Sequence, residues 1–126
     1  MTYMQKQKDT INKRLVGSYY EEMAKDYLIK QGYDILYNNF RSRFGEIDII
    51  ARDDAYIVFI EVKYRRTKRY GYPREAVTYQ KQRHILRTAQ YFLLTQIGKE
   101  VPCRFDVVEI LDNQNPHIKA AFKEKK

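Results

Sequence analysis

The sequence predicts an α/β protein in which helices flank one mixed β-sheet, with its elements in the order α-β-β-β-α-β. Three observations carry this prediction. Apolar residues recur at helical spacing twice, near the beginning of the chain and in its second half. Strand-length apolar runs lie between these helical segments, and one more follows the second. Turn-forming residues separate the runs, and no repeat or low-complexity segment interrupts their order.

The two helical segments have recognisable ends. The first is expected from about Thr10 to Gln31, where Gly32 can cap the C-terminus. The second ends near Gly98, and Pro73 is well placed to open it. The apolar stripe of this second helix consists of Ile85, Leu86, Ala89, Phe92 and Leu93.

Four segments have the composition of β-strands. They cover residues 33–40, 46–52, 56–64 and 104–111. The pair Asp53-Asp54 between the second and third segments is a turn signal, so these two strands are expected to form a hairpin.

Length and composition indicate a single domain, residues 1–112, followed by a basic C-terminal tail, residues 113–126. A domain of this size buries roughly two-thirds of the surface of its unfolded chain. The hydrophobic content of 44% and the aromatic content of 14% are typical of a globular protein.

The charge balance favours a polyanionic partner. Twenty-four Lys and Arg against sixteen Asp and Glu give a net charge of +8, which favours nucleic acid first and an anionic membrane surface second. No apolar run approaches the roughly 18 residues of a membrane span. Residues 1–14 are polar and lack the apolar core of a secretory signal peptide. The single cysteine, Cys103, excludes an internal disulfide and a cysteine-based zinc site. We therefore expect a cytoplasmic protein with no membrane partner.

Acidic residues interrupt two of the most apolar segments. Asp48 stands between Ile47 and Ile49, and Glu61 closes a second apolar run shortly before Lys63. A carboxylate in a buried strand needs a partner or a cation. A metal site explains this pattern. The alternative is a surface hairpin with cross-strand Glu/Lys pairs, which leaves Asp48 unexplained.

The predicted hairpin gathers these charges on one side of the sheet. If Asp53-Asp54 is a two-residue loop, Glu46 lies opposite Glu61, and Asp48 lies opposite Phe59. Side chains alternate between the two faces of a strand. The charged residues that then share one surface are Glu46, Asp48, Glu61 and Lys63.

Such a set suits Mg²⁺ or Mn²⁺ and phosphate chemistry. Mg²⁺ is usually bound by one or two carboxylates together with substrate phosphate and water. A lysine beside such a site can orient the attacking water and stabilise the developing negative charge.

Glu21 is a further candidate acid. It falls at helical spacing with Gly17, Ala24 and Leu28, so it is expected to face the sheet. The alternative, equally compatible with the spacing, is an exposed i,i+4 pair with Lys25.

A series of motifs in this chain resembles a known protein family. In chain order the motifs are Gly17-x-x-x-Glu21-x-x-Ala24, Tyr27-Leu28 with Gly32-Tyr33, Asn39-Phe40-Arg41, Gly45-Glu46-Ile47-Asp48, Phe59-Ile60-Glu61-Val62-Lys63, Pro73-x-Glu75-Ala76-Val77, Lys81, Ala89 with Tyr91-Phe92, and Arg104-Phe105-Asp106-Val107-Val108. The combination resembles the YraN family of small bacterial proteins, which belongs to the restriction-endonuclease-like superfamily and is related to archaeal Holliday-junction resolvases.

The resemblance implies a restriction-endonuclease-like core with Mg²⁺ held by Asp48 and Glu61, and Lys63 as the catalytic lysine. Glu21 matches the helical glutamate that completes such sites in the resolvase-like branch. Glu46 is an auxiliary candidate that the superfamily motif does not require. Ile47 stands where the superfamily often has proline, a position that varies widely.

A basic run follows the strand of Glu61. Between residues 63 and 74, six of twelve residues are Lys or Arg, none is acidic, and three tyrosines are interleaved. Such a run can neutralise phosphates and stack on bases, although a solvated charge run is the alternative. The candidate nucleic-acid contacts are Arg41, Arg43, Arg65, Arg66, Lys68, Arg69, Arg74 and Lys81.

Two functions are compatible with this sequence. The first is a Mg²⁺-dependent endonuclease acting on DNA, with branched DNA as a candidate substrate and a homodimer as a candidate assembly. The second is a non-catalytic DNA- or RNA-binding module, or a partner subunit, with a vestigial nuclease site. Paired carboxylates repel phosphate and have no evident use in a pure binding module, so the acidic set favours the enzyme.

Overall fold

The structure is a computed structural model that describes the backbone of residues 3–65, 78–111 and 117–122, and the side chains of residues 17–64 and 78–111. Its elements are α1 (Tyr3–Lys30), β1 (Asp34–Ser42), β2 (Gly45–Asp53), β3 (Tyr56–Arg65), α2 (Tyr79–Phe92), β4 (Cys103–Leu111) and β5 (His117–Phe122). The predicted order α-β-β-β-α-β is confirmed, and one further strand follows it.

The five strands of the described ranges form one mixed sheet in the order β1-β2-β3-β4-β5. β3 and β4 are parallel, whereas the other neighbouring pairs are antiparallel. A parallel pair requires a crossover connection, and α2 lies in the one that joins β3 to β4. The predicted α/β class with a mixed sheet is therefore confirmed.

Helices cover both faces of the sheet. α1 packs through Ala24 and Leu28 on one apolar cluster, which includes Val108. α2 packs through Ile85, Ala89 and Phe92 on a second cluster, which includes Val107. Because Val107 and Val108 are adjacent in β4, the two clusters lie on opposite faces. In the described part of the chain, no helix combines the length and the apolar character of a membrane span.

The C-terminal end of α1 follows the prediction, but its beginning does not. Gly32 has φ +95°, and the N–H groups of Gly32 and Tyr33 donate to the carbonyls of Ile29 and Leu28, each at 3.0 Å. These two bonds form the Schellman motif expected at a glycine-capped end. The helix begins at Tyr3 rather than near Thr10. Its first turns consist mainly of polar residues that favour a helix. Because they carry no apolar stripe, the periodicity of the sequence does not reveal them.

The hairpin between β2 and β3 is shifted from the predicted register. Asp53 pairs with Tyr56, and Ile49 pairs with Ile60, so the loop is Asp54-Ala55 rather than Asp53-Asp54. The predicted pairings of Glu46 with Glu61 and of Asp48 with Phe59 are therefore wrong. The observed register is stabilised in part by Arg104, whose Nη2 donates a hydrogen bond to Asp53 Oδ2 at 2.9 Å. Asp54 takes φ +56°, a conformation that aspartate tolerates.

The second helix is capped at both ends. The Thr78 side chain accepts the N–H of Lys81 at the N-terminus. After Phe92 the helix continues as a π-helical turn, Leu93–Ile97, that ends at Gly98 with φ +74°. The predicted end near Gly98 is confirmed, while Pro73 lies outside the described residues.

Part of the expected tail is a strand. Residues 117–122 form β5, in which Ile118 pairs with Val108 and Lys119 pairs with Val107. These residues are placed in the tail by the sequence analysis, because the backbone groups on the outer side of β4 supply pairing partners that local composition does not reveal.

Candidate active site

The sheet opens between β2 and β3. Their pairing ends at Ile49 and Ile60. Beyond this point β2 continues beside β1 as far as Gly45, and β3 continues beside β4. We call the opening between residues 45–48 and residues 61–65 the fork. Two acidic residues of the sequence motif, one on each strand, lie at this fork.

Asp48 is tied across the fork to β3. Its Oδ2 accepts the backbone N–H of Val62 at 2.8 Å. The carboxylate therefore satisfies a donor of β3 just past the point where strand pairing ends. Ile47 and Ile50 pack in the same apolar cluster although Ile49 packs in the other. The alternation of β2 is thus interrupted at Asp48.

The acids at the fork interact with one another. Burial, followed by the negative charge of Glu61, raises the pKa of Asp48 from 3.8 to about 7, against the opposing hydrogen bond from Val62. The charges of Glu21 and Glu46 raise the pKa of Asp48 further, with smaller effects. At neutral pH the ionised form of Asp48 is therefore destabilised by burial and by the neighbouring negative charges. A nearby cation would stabilise it.

Two lysines converge on Glu61. Lys81 Nζ lies 2.8 Å from Glu61 Oε1, and Lys63 Nζ lies 3.6 Å from the same oxygen. The Glu61 side chain is only 11% exposed, so water screens these contacts weakly. Burial and the neighbouring Lys81 lower the pKa of Lys63, against the opposing charge of Glu61. Burial also acts to lower the pKa of Lys81, but its hydrogen bond to Glu61 contributes to a net raised pKa.

An open cleft of about 340 Å³ is lined both by residues of α1 and by the acids of the fork. Its lining residues are Gly17, Tyr20, Glu21, Asp48, Glu61, Val62 and Tyr64. Glu21 therefore faces the site, as one of the two readings of its spacing predicted. Its Oε2 accepts a hydrogen bond from Asn39 Nδ2 at 3.1 Å. Asn39 has φ +52°, which asparagine tolerates better than most residues.

Glu46 does not join this cleft. Its carboxylate lies 3.0 Å from Arg41 Nε, and its side chain is 48% exposed. The prediction that Glu46 shares one surface with the other acids rested on strict alternation, which fails at Asp48. Glu46 acts on Asp48 through its charge and is not among the residues that line the cleft.

The acids fit a divalent cation as a pair rather than as a triad. In the ranges with described side chains, no three Asp, Glu, His or Cys residues are close enough together to hold one ion. Two carboxylates are sufficient for Mg²⁺ when phosphate and water complete its ligands. Asp48 and Glu61 supply such a pair, and the pKa of Asp48 is raised by burial first and by the charge of this second acid next.

The basic candidates divide between described and undescribed residues. Arg41 pairs with Glu46, and the guanidinium of Arg43 lies over the Phe44 ring, 4.8 Å from its centroid. Both arginines belong to the end of the β1–β2 hairpin. The side chain of Arg65 and the residues Arg66, Lys68, Arg69 and Arg74 lie outside the described residues.

The β1–β2 hairpin is docked on α2 by contacts that the sequence analysis missed. The hydroxyls of Ser42 and Thr88 are 3.2 Å apart, and Thr88 also donates to the His84 carbonyl at 2.9 Å. Gly45 has φ +148°, and a Cβ there would lie 3.4 Å from His84 Cβ. The signal available in the sequence was the position of Thr88, a hydroxyl within the apolar stripe of α2.

The mixed sheet, its flanking helices, and the acid–lysine motif at the fork define a restriction-endonuclease-like α/β core. The chain belongs to Uncharacterised protein family UPF0102, whose model matches residues 20–110. This membership confirms the resemblance to the YraN family.

Relatives described as UPF0102 proteins align with most of the chain. One from Lachnoclostridium phytofermentans is 50% identical over 113 residues, covering 89% of this chain and 96% of the relative. One from Caldicellulosiruptor saccharolyticus is 52% identical over 103 residues, covering 82% and 87%. One from Persephonella marina is 49% identical over 102 residues, covering 81% and 88%.

Proposed function

We propose that this protein is a metal-dependent endonuclease that hydrolyses phosphodiester bonds in DNA. One observation carries the proposal. Asp48 and Glu61 come from two strands that separate at the fork, line one open cleft, and are close enough that Glu61 raises the pKa of Asp48. Lys63 follows Glu61 by two residues and contacts it. This combination of an acid pair and a lysine suits hydrolysis of a phosphodiester better than passive binding.

Each residue has a defined role in the proposal. Asp48 and Glu61 would hold Mg²⁺ or Mn²⁺, and such an ion, when bound, lowers the pKa of a coordinated water and shields the charge of the phosphate. Lys63 orients the attacking water and stabilises the developing negative charge. Glu21 lines the same cleft from α1, where its hydrogen bond with Asn39 holds the carboxylate, and its negative charge adds to that of the metal-binding pair.

The charge of the molecule supports a nucleic-acid substrate. The net charge is +8 although the cleft itself contains acids. A positive surface around an acidic centre attracts a polyanion to a site that would otherwise repel it. The exposed guanidinium groups of Arg41 and Arg43 lie on the hairpin that carries one arm of the fork. DNA is the preferred partner, and branched DNA bound by a homodimer is the first substrate to test.

A second candidate function is nucleic-acid binding without cleavage. The contacts of Lys63 and Lys81 with Glu61 favour it, because ammonium groups already compensate one of the two acids. In that case the acids and lysines form a structural ion-pair network at the fork. Metal-dependent cleavage distinguishes this candidate from the first.

The experiment compares cleavage of linear duplex, single-stranded and four-way-junction DNA, and of a matched RNA, with Mg²⁺, Mn²⁺ or EDTA. The test variants are Asp48→Asn, which keeps an acceptor for Val62, and Lys63→Met. The control is Asp54→Asn in the exposed β2–β3 turn. We expect metal-dependent cleavage by the parent and control proteins and a loss of at least about a hundredfold in both test variants. Absence of cleavage on every substrate would exclude the nuclease, and equal cleavage by the test variants would exclude this site.

A further inference from the structure

Lys81 contributes a charge that the proposed hydrolysis does not require. Its ammonium lies 2.8 Å from Glu61 Oε1, closer than the ammonium of Lys63 at 3.6 Å. Lys63 belongs to the same strand as Glu61, whereas Lys81 reaches it from α2 on the other side of an undescribed connection. Among the residues whose side chains are described, the shortest ionic contact of Glu61 therefore joins distant parts of the chain.

The position of Lys81 in α2 is unfavourable for the helix itself. Thr78 is the N-cap residue, and the Lys81 N–H donates to its hydroxyl at 3.2 Å. Lys81 thus occupies the third helical position, where a capping box has glutamate or glutamine. The first turn contains no acidic residue, and a cation at a helix N-terminus opposes the helix dipole. Helix stability does not explain this lysine, but its contact with Glu61 does.

We propose that Lys81 is an internal counter-cation, which occupies Glu61 before a divalent ion binds and is displaced from it when the ion binds. The inference rests on the metal site of the proposed function. An ammonium and a divalent cation compete for this carboxylate, since each neutralises its charge and the two cations repel one another. The affinity of the site for metal is therefore lower than the acid pair alone would give.

Displacement also makes an ammonium available at the fork. A phosphate that approaches the metal-loaded site meets a cation released from Glu61. Binding of metal and binding of nucleic acid then favour each other, and the coupling is reciprocal. With Lys81 on Glu61 the protein keeps its acid partly neutralised, so a polyanion is not strongly repelled before metal arrives.

The experiment measures Mn²⁺ affinity of the full chain by isothermal titration calorimetry. It compares the parent protein with Lys81→Met, Lys81→Gln and the control Arg83→Met, which removes the same charge from an exposed position of α2. We expect both Lys81 variants to bind Mn²⁺ about three- to fivefold more tightly than the parent. The control should bind within about twofold of the parent, and the Lys81 effect should persist at about 0.3 M salt, which screens distant charges more than direct contacts.

Adding a DNA duplex provides a second measurement. DNA should increase the Mn²⁺ affinity of the parent protein, and this increase should be at least halved in the Lys81 variants. Circular dichroism of each variant checks that the fold is retained.

The outcomes separate the inference from the function on which it rests. Unchanged or weaker Mn²⁺ binding by both Lys81 variants would overturn the counter-cation and leave the metal site standing. Equal tightening by Arg83→Met would show a general charge effect and would also overturn it. Loss of saturable Mn²⁺ binding in every protein, the parent included, would overturn both the metal site and the inference.

Discussion

Replacement of Asp48 by asparagine should stabilise this protein at neutral and alkaline pH in the presence of EDTA. Burial and the charge of Glu61 raise the pKa of Asp48 from 3.8 to about 7 in the folded protein. A shift of roughly three units corresponds to about 4 kcal/mol at 1.4 kcal/mol per unit. Asparagine has the shape of the protonated acid and keeps an oxygen that accepts the Val62 N–H. It therefore avoids the cost of holding a charge at the fork.

The sign of the pH dependence follows from proton binding. Between about pH 4 and pH 7 the unfolded chain has released this proton, whereas folded Asp48 still holds it. The free energy of unfolding therefore falls as the pH rises through this window, by up to about 1.4 kcal/mol per unit from this group. The advantage of Asp48→Asn should be small near pH 4 and reach a plateau of about 2–4 kcal/mol above pH 7, because the added amide hydrogens offset part of the gain.

Urea denaturation followed by circular dichroism at several pH values measures this difference. Asp54→Asn is the matched control, since it makes the same chemical change in an exposed turn, and its effect should vary little with pH. The reasoning would be refuted if Asp48→Asn were less stable than the parent at pH 8, or if the difference between them did not change from pH 4 to pH 8.

Three further predictions concern stability. Mg²⁺ at about tenfold its dissociation constant should stabilise the parent by about 1.4 kcal/mol at pH 8 and leave Asp48→Asn unchanged, and an equal thermal shift in both would contradict a metal site at the fork. Arg104→Met should cost about 3 kcal/mol in urea denaturation, because it strips the 4%-exposed Asp106 of its ionic partner, whereas the exposed Arg52→Met should cost under about 0.5 kcal/mol. Gly32→Ala should lower stability by about 1 kcal/mol because of φ +95°, while Gly17→Ala within α1 should not lower it; equal effects in calorimetry would refute the assignment of the cap.

Local patterns of the sequence were sufficient for most elements of the fold. The apolar stripe of α2, the strand-length runs and the capping glycine at position 32 each act within a few neighbouring residues, so periodicity and turn chemistry reveal them. The beginning of α1 and the existence of β5 have no such pattern. The beginning of α1 is mostly polar. β5 is short and flanked by polar residues, and it depends on its pairing with β4, which is buried and already formed on its other side.

The errors at the candidate site came from contacts between distant residues. The observed β2–β3 register is stabilised in part by Arg104, which contacts Asp53 from 51 positions away. Strict alternation would place Glu46 beside Asp48, but strand separation interrupts it and Glu46 pairs with Arg41. The sequence predicts Glu61 as a metal ligand and Lys81 as a nucleic-acid contact, without predicting that they meet. Their 2.8 Å contact depends on how α2 packs on the sheet. Residue types identified the acids and lysines, whereas tertiary packing determined which of them meet.

Under the proposed function, the division of the sheet at the fork has a consequence for ion selectivity. The two acids stand on different arms, β1–β2 and β3–β4, and the strand ladder that joins these arms ends at Ile49 and Ile60. The width of the gap between the carboxylates is therefore set by the splay of the two arms as well as by side-chain rotamers. Mg²⁺ requires oxygens at about 2.1 Å and Ca²⁺ at about 2.3–2.6 Å. In such a site, the packing that sets the splay of the two arms also affects the preference for ions of different radius. This packing lies at a distance from the acids themselves.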